Sequence, residues 1–97
     1  MNGNMKNIKL NWKKKYLEDK SGYWYSANIP VLNWEYVVDV YGDYSAPYLF
    51  VGPHVDEIKI CPKKKFKSHE QAQKECEKHL AKTYENFKKF IDGKTYE

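Results

Sequence analysis

The sequence predicts an α+β fold: an antiparallel β-meander of four to five strands with one long C-terminal helix packed across one face. Three observations carry this. Residues 66–93 hold the only long helical period, with their own start and stop signals. Upstream, several short stretches alternate apolar and polar residues with period two. The links between those stretches are of hairpin length, which favours antiparallel neighbours over parallel crossovers.

Taken in order, residues 1–6 are polar and expected to fray. Ile8, Leu10 and Trp12 alternate with Lys9, Asn11 and Lys13, the pattern of a half-buried strand. Glu18 to Gly22 is a polar turn whose glycine can adopt positive φ. In residues 23–30, Tyr23, Tyr25, Ala27 and Ile29 form the more apolar face, and Trp24, Ser26 and Asn28 the other. Residues 34–41 form the strongest strand. Trp34, Tyr36, Val38 and Val40 mark one face; Glu35, Val37, Asp39 and Tyr41 mark the opposite one, and Gly42 and Asp43 end it. Residues 48–51 are apolar throughout, so period does not assign their facing. Gly52 and Pro53 break that run. Residues 57–61 alternate again with Ile58 and Ile60 inward, and Pro62 stops them at an edge.

The helix has more to specify it. Ser68 followed by Gln71 has the spacing of a capping box. Ala72, Cys76, Leu80, Tyr84 (or Thr83), Phe87 and Ile91 recur at three- and four-residue steps, one stripe along the rod. Gly93 stands where a left-handed closing residue belongs, and Lys88 and Lys89 lie near the negative end of the dipole. Roughly 23 residues at ~1.5 Å each make about 35 Å of helix. The expected layout is a single domain over residues 1–97, with the sheet in 7–62 and the helix in 68–92.

A chain of 97 residues has room for one core. Its apolar fraction of 41% and aromatic fraction of 16% argue for a folded protein despite 31% charged residues. No apolar run approaches the ~18–20 residues that span a bilayer, and the N-terminal residues hold no apolar stretch of the signal-peptide kind, so no export is expected. Cys61 and Cys76 therefore read as reduced thiols, and a cytoplasmic location is expected. The net charge of +4 is unevenly placed: residues 21–58 contain no lysine but hold Glu35, Asp39, Asp43, Asp56 and Glu57. All seventeen basic residues are lysine. Arginine is the side chain suited to bidentate phosphate and guanine contacts, so its absence weakens a specific nucleic-acid reading.

Four kinds of chemistry can be weighed. Cys76 and His79 stand three apart on the helix, with Cys61 and His69 on its approach, but no paired clip of the kind zinc sites use is present. Cys76 belongs to the apolar stripe, where a thiol behaves as a small hydrophobe. Cys–His catalysis needs an activated thiol and an orienting group, and no such constellation is legible. The acids of residues 35–57 read as a solvated sheet face. No enzyme activity, metal or cofactor is expected. Lys13, Lys14 and Lys15, and Lys63, Lys64 and Lys65, form clusters that a nucleic acid could use. A double-stranded-RNA domain also ends in sheet then helix, but it opens with a helix and starts its last helix with lysines. Here that start reads Ser68, His69, Glu70, Gln71.

The order of features resembles that of many short phage and prophage proteins. The shared positions are Leu10 with Trp12, Trp24 with Ala27 and Pro30, Tyr36 with Val38, and Phe66 with Ser68, Ala72, Cys76 and Leu80. The aromatic-rich segment 41–48 and the helix beyond Leu80 depart from the pattern. The resemblance implies a phage or mobile-element accessory protein, a class in which some members block host defence enzymes by binding them.

The aromatic inventory is the feature folding explains least. Nine Tyr and three Trp exceed what one small core can place. A helix about 10 Å across cannot roof four or five strands at ~4.8 Å spacing. Some apolar sheet must meet solvent, the chain's own tail or a partner. The expectation is a non-enzymatic binding protein that contacts a host protein through an aromatic and acidic surface: Trp24, Trp34, Tyr41, Asp43, Tyr44 and Tyr48. A homodimer through the uncovered sheet is a further use of that face. The alternative is weak, lysine-driven nucleic-acid binding.

Overall fold

The computed structural model describes residues 8–52, 56–61 and 64–92. Five strands, β1 (Lys13–Tyr16), β2 (Tyr23–Ile29), β3 (Trp34–Val40), β4 (Ser45–Val51) and β5 (Asp56–Lys59), precede one helix, α1 (His69–Ile91). The strands form one antiparallel sheet in chain order. The α+β architecture expected from the periodicities is the one observed.

The register sorts the side chains into two faces. Ala27, Tyr36, Leu49 and Ile58 line up across four strands, as do Ile29, Trp34 and Val51 in the next row of that face. α1 crosses this face and buries Ala72, Cys76, Leu80 and Ala81. Tyr36, Val38, Leu49, Ile60, Phe66, Ala72, Cys76 and Leu80 form one core cluster. Ala72 and Cys76 are fully buried. Their small side chains let the helix backbone come close to the central strands.

Four local expectations need correction. Residues 8–12 are not a strand; pairing begins at Lys13. Instead the Leu10 N–H (2.9 Å) and the Trp12 Nε1–H (3.0 Å) both donate to Glu77 Oε2, and Ile8, Leu10 and Trp12 pack on the core beside the helix. The exposed edge strand that follows is Lys13, Lys14, Lys15 and Tyr16, a lysine-rich edge of the kind that discourages pairing with other chains. In the β1–β2 turn the left-handed residue is Lys20 (φ 61°), not Gly22. A Cβ at Gly22 would lie 3.1 Å from Leu17 Cδ1, so the glycine serves close approach.

β4 begins at Ser45, three residues before the apolar run that predicted it. Pro47 argues against a central strand because it lacks an N–H. Its carbonyl still accepts the Ile60 N–H at 3.1 Å, and the missing donor falls beyond the end of β5 at Lys59. Finally, Ile60 is buried as expected, but Ile58 is 45% exposed. It sits on the helix-facing side at the sheet's edge, past the reach of a single helix.

The helix start follows the expected chemistry with one shift. Ser68 is extended and its Oγ accepts the Gln71 N–H at 3.2 Å. Gln71 Oε1 accepts the Lys67 N–H at 3.2 Å, one residue before the cap. At the other end Asp92 keeps right-handed backbone and its N–H bonds back to the Lys88 carbonyl. Gly93, Pro53, Pro62 and the first six residues lie outside the described residues.

Truncating this stripe should be costly. Leu80→Ala should destabilise by about 2–4 kcal/mol through a core cavity, and Ser68→Ala by about 1 kcal/mol through the lost cap. Urea melts monitored by tryptophan fluorescence check both, and a silent Leu80→Ala would place the stripe elsewhere.

Candidate functional site

The face of the sheet opposite α1 carries Trp24, Ser26 and Asn28 from β2, Glu35, Val37 and Asp39 from β3, and Ala46, Tyr48 and Phe50 from β4. Among the described residues nothing covers it, because α1 and residues 8–12 both pack on the other side. Trp24, Tyr48 and Phe50 are half-buried, and Val37 between them is only 7% exposed. Side chains of this face therefore shield one another while still meeting solvent. A shallow concavity of about 370 Å³ opens here, lined by Lys15, Trp24, Glu35, Val37, Asp39 and Phe50.

The β3–β4 hairpin extends this face to its tip. The Tyr41 N–H bonds the Tyr44 carbonyl at 2.8 Å, which leaves Gly42 and Asp43 as a two-residue turn. The two tyrosine rings stack at 4.8 Å and 29°. Lys65 Nζ lies 4.8 Å from the centre of the Tyr44 ring. The Tyr41 hydroxyl donates a long bond to Asp39 Oδ2, 3.4 Å.

Acids and lysines share this face, with Glu57 on β5 beside the central acids. Glu35 and Asp39 stand on the central strand; Lys13 and Lys15 on β1 and Lys59 on β5 flank them. Among the described residues no cation forms an ion pair with Asp39. Burial pushes the Asp39 carboxyl above its ordinary value of 3.8, against the Tyr41 hydrogen bond. The Tyr41 phenol is in turn pushed up, above all by the Tyr48 hydroxyl.

Of the six residues expected at the contact surface, Trp24, Tyr41, Tyr44 and Tyr48 share this face, and Asp43 is exposed at the hairpin tip. Trp34 does not join them. It opposes Ile29 and Val51 on the helix-facing side, with its ring 6.2 Å from those of Tyr36 and His79. Phe50, Val37, Glu35 and Asp39 belong to the face and were missing from the expected set. For Phe50 the signal was absent, since residues 48–51 have no period. For the β3 residues the alternation already placed them there.

The two expected lysine clusters are also separated. Lys13 and Lys15 lie on the open face, whereas Lys14 covers the Tyr23 ring at 4.2 Å on the other side. Lys64 and Lys65 lie next to β4, about 14 Å away across three strand spacings. Lys63 lies outside the described residues. Lys64 and Lys65 instead join Lys67, Lys74 and Lys78 around a groove of about 520 Å³ along the first half of α1, with Glu75 among them.

The cysteines and histidines have other partners. The Cys61 thiol donates to Glu75 Oε1 at 3.6 Å, and burial and then the Glu75 charge push it up. Burial also pushes the fully buried Cys76 up. Both settings favour the thiol over the thiolate. His69 stacks on Tyr25 at 4.3 Å and pairs with Glu70. Among the described residues no three His, Cys, Asp or Glu side chains converge on a metal-sized site. No helix of the described residues is long and apolar enough to cross a membrane.

Comparison with protein-family models, curated proteins and solved structures found no match to this chain.

His79 gives the fold a pH signature. Its Nδ1 lies 2.7 Å from the Tyr36 hydroxyl, and burial lowers its pKa below 6.5. Burial raises that of Tyr36, so the phenol keeps its proton and shares a hydrogen bond with the neutral ring. The unfolded chain then binds the proton first as pH falls, so this group's contribution is whole above 6.5 and declines below it. The urea midpoint should fall between pH about 7 and about 5.5, and His79→Gln should flatten that slope. An unchanged slope in the variant would assign the dependence to another group.

Proposed function

We propose that this protein is a non-enzymatic binding module that engages a host protein through the open sheet face and its hairpin tip. The carrying observation is the set Trp24, Tyr48 and Phe50 around Glu35 and Asp39, on a face with no roof among the described residues. Aromatic side chains supply contact area at low entropic cost, and a strand-borne set is held more rigidly than one on loops. The two carboxylates select a partner that brings a lysine or arginine to the centre, while the flanking lysines accept acidic groups at the rim. Its proposed setting, an accessory protein of a phage or mobile element acting on a host defence protein in the cytoplasm, rests on the sequence resemblance alone.

A second reading has its own observation, the five lysines around the groove beside α1. That groove suits weak electrostatic binding of a nucleic acid, with affinity that falls steeply with salt. The open face does not suit it, because Glu35 and Asp39 repel phosphate at its centre.

Asp39→Asn separates binding from folding. Burial disfavours the Asp39 carboxylate, so the amide should melt at an equal or higher urea concentration. Partner capture from bacterial lysate should nevertheless be lost, as it should in Tyr41→Ala/Tyr44→Ala, where a hot-spot tyrosine is worth about 2 kcal/mol. Capture should survive nuclease treatment and the change of Lys64, Lys67 and Lys74 to Gln. Capture abolished by nuclease or by those lysine changes would establish the second reading instead.

A further inference from the structure

The apolar stripe of α1 outruns the sheet. Burial along the helix ends at Ala81, yet Tyr84, Phe87 and Ile91 continue the stripe, with Phe87 59% and Ile91 63% exposed. Residues 82–91, roughly 15 Å of helix, extend past the part that the sheet buries. Beside these turns is a groove of about 470 Å³ with wholly apolar walls. Trp34 and Ile29 form its sheet side, Leu32 of the 3₁₀ turn (Pro30–Leu32) its far wall, and Leu80 and Tyr84 its helix side. Val31, on the same turn, is 89% exposed.

We propose that this region is a self-association surface: α1 of a second copy lies antiparallel against it, each copy's projecting helix end filling the other's groove. The surface and the occupant match in three ways. First, ridge and groove occur side by side on one patch, which is what a two-fold interface requires, since each copy must offer both halves of the contact. Second, Leu80, Tyr84, Phe87 and Ile91 follow steps of four, three and four, the spacing of a helix-pairing seam. An antiparallel register with Tyr84 against the partner's Phe87 also brings the partner's Ile91 over the groove wall at Leu80, whose side chain is otherwise buried in the core. Lys82, Glu85 and Lys89 then fall on the solvated back of the helix. Third, the area suffices. Val31, Leu32, Tyr84, Phe87 and Ile91 together expose on the order of 500 Å², as much as the largest patch on a typical monomer. Two such patches approach the roughly 1,000 Å² that a specific interface needs, before any rim contact is added.

This surface is separate from the open sheet face, so the two can be tested apart. Sedimentation equilibrium over a wide concentration range should give wild type twice the 11.6 kDa mass of the chain. Phe87→Asp changes the ridge and Val31→Asp the groove rim, and both side chains are exposed, so both variants should stay folded by circular dichroism. Each should raise the dimer dissociation constant at least ~tenfold, whereas Asp39→Asn should leave it unchanged. A monomer at every concentration overturns the proposal. A dimer that persists in either variant also overturns it and places the contact elsewhere, for example on the sheet.

Discussion

The close approach of α1 to the central strands is the constraint on which the rest depends. At Ala72 and Cys76 the helix offers almost no side chain, and both are fully buried against the cluster of Tyr36, Val38 and Leu49. Residues that small fit only where the backbones come near, and there a cavity would forfeit contacts on both sides. The helix direction is then pinned at separate points. His69 stacks on Tyr25 of β2, and His79 Nδ1 hydrogen-bonds the Tyr36 hydroxyl on β3. A slide along the stripe would break the stack and leave a buried phenol without its partner, an outcome that costs more than the bond itself contributes.

Once the helix is fixed, the remaining chain covers the sheet unevenly. Residues 8–12 widen the roof on the helix side, and one oxygen, Glu77 Oε2, accepts both the Leu10 and Trp12 donors that hold them there. Gly52 completes the arrangement at the far end. Its N–H bonds the Asn33 carbonyl at 3.0 Å, and a Cβ there would lie 2.7 Å from Asn33 Nδ2. That contact seats the left-handed Asn33 and with it the 3₁₀ turn that carries Val31 and Leu32. The opposite face receives no comparable cover among the described residues. Its Tyr48 and Phe50 rings instead lie 6.5 Å apart, and Val37 between the strands' aromatics is only 7% exposed.

Period and capping were legible because each is written in few residues. The alternation in residues 34–41 assigned both faces of β3 correctly, and Ser68 with Gln71 located the start of α1 within a residue. What escaped was set by contacts distant in sequence. Ile8, Leu10 and Trp12 alternate like a strand, but the partner that claims them is Glu77, sixty-odd residues on. Pro47 reads locally as a strand breaker, and only the end of β5 at Lys59 makes its missing N–H harmless. The same limit blurred the candidate site. Trp34 was grouped with Trp24 by residue type, although its own alternation with Tyr36 and Val38 put it on the helix side. Phe50 sat in a run with no period and could be placed only by pairing with Glu35.

The open face differs from a mere second core in the way it treats charge. A face shaped for stability alone would carry an apolar or neutral residue at position 39, where the environment disfavours the ionised carboxyl. Asp39 has one long bond from Tyr41 and, among the described residues, no ion pair. Its carboxylate is therefore poorly compensated by the fold and best compensated by something that arrives from outside. Trp24, its cross-strand neighbour on β2, shields one side of that position, which strengthens any charge interaction formed there. An incoming cation thus relieves a cost the free protein carries, and the aromatic surround supplies area that solvent alone leaves uncovered. These two contributions come from neighbouring residues on adjacent strands, and it is their coincidence, more than the number of tyrosines, that supports the proposed use of this face.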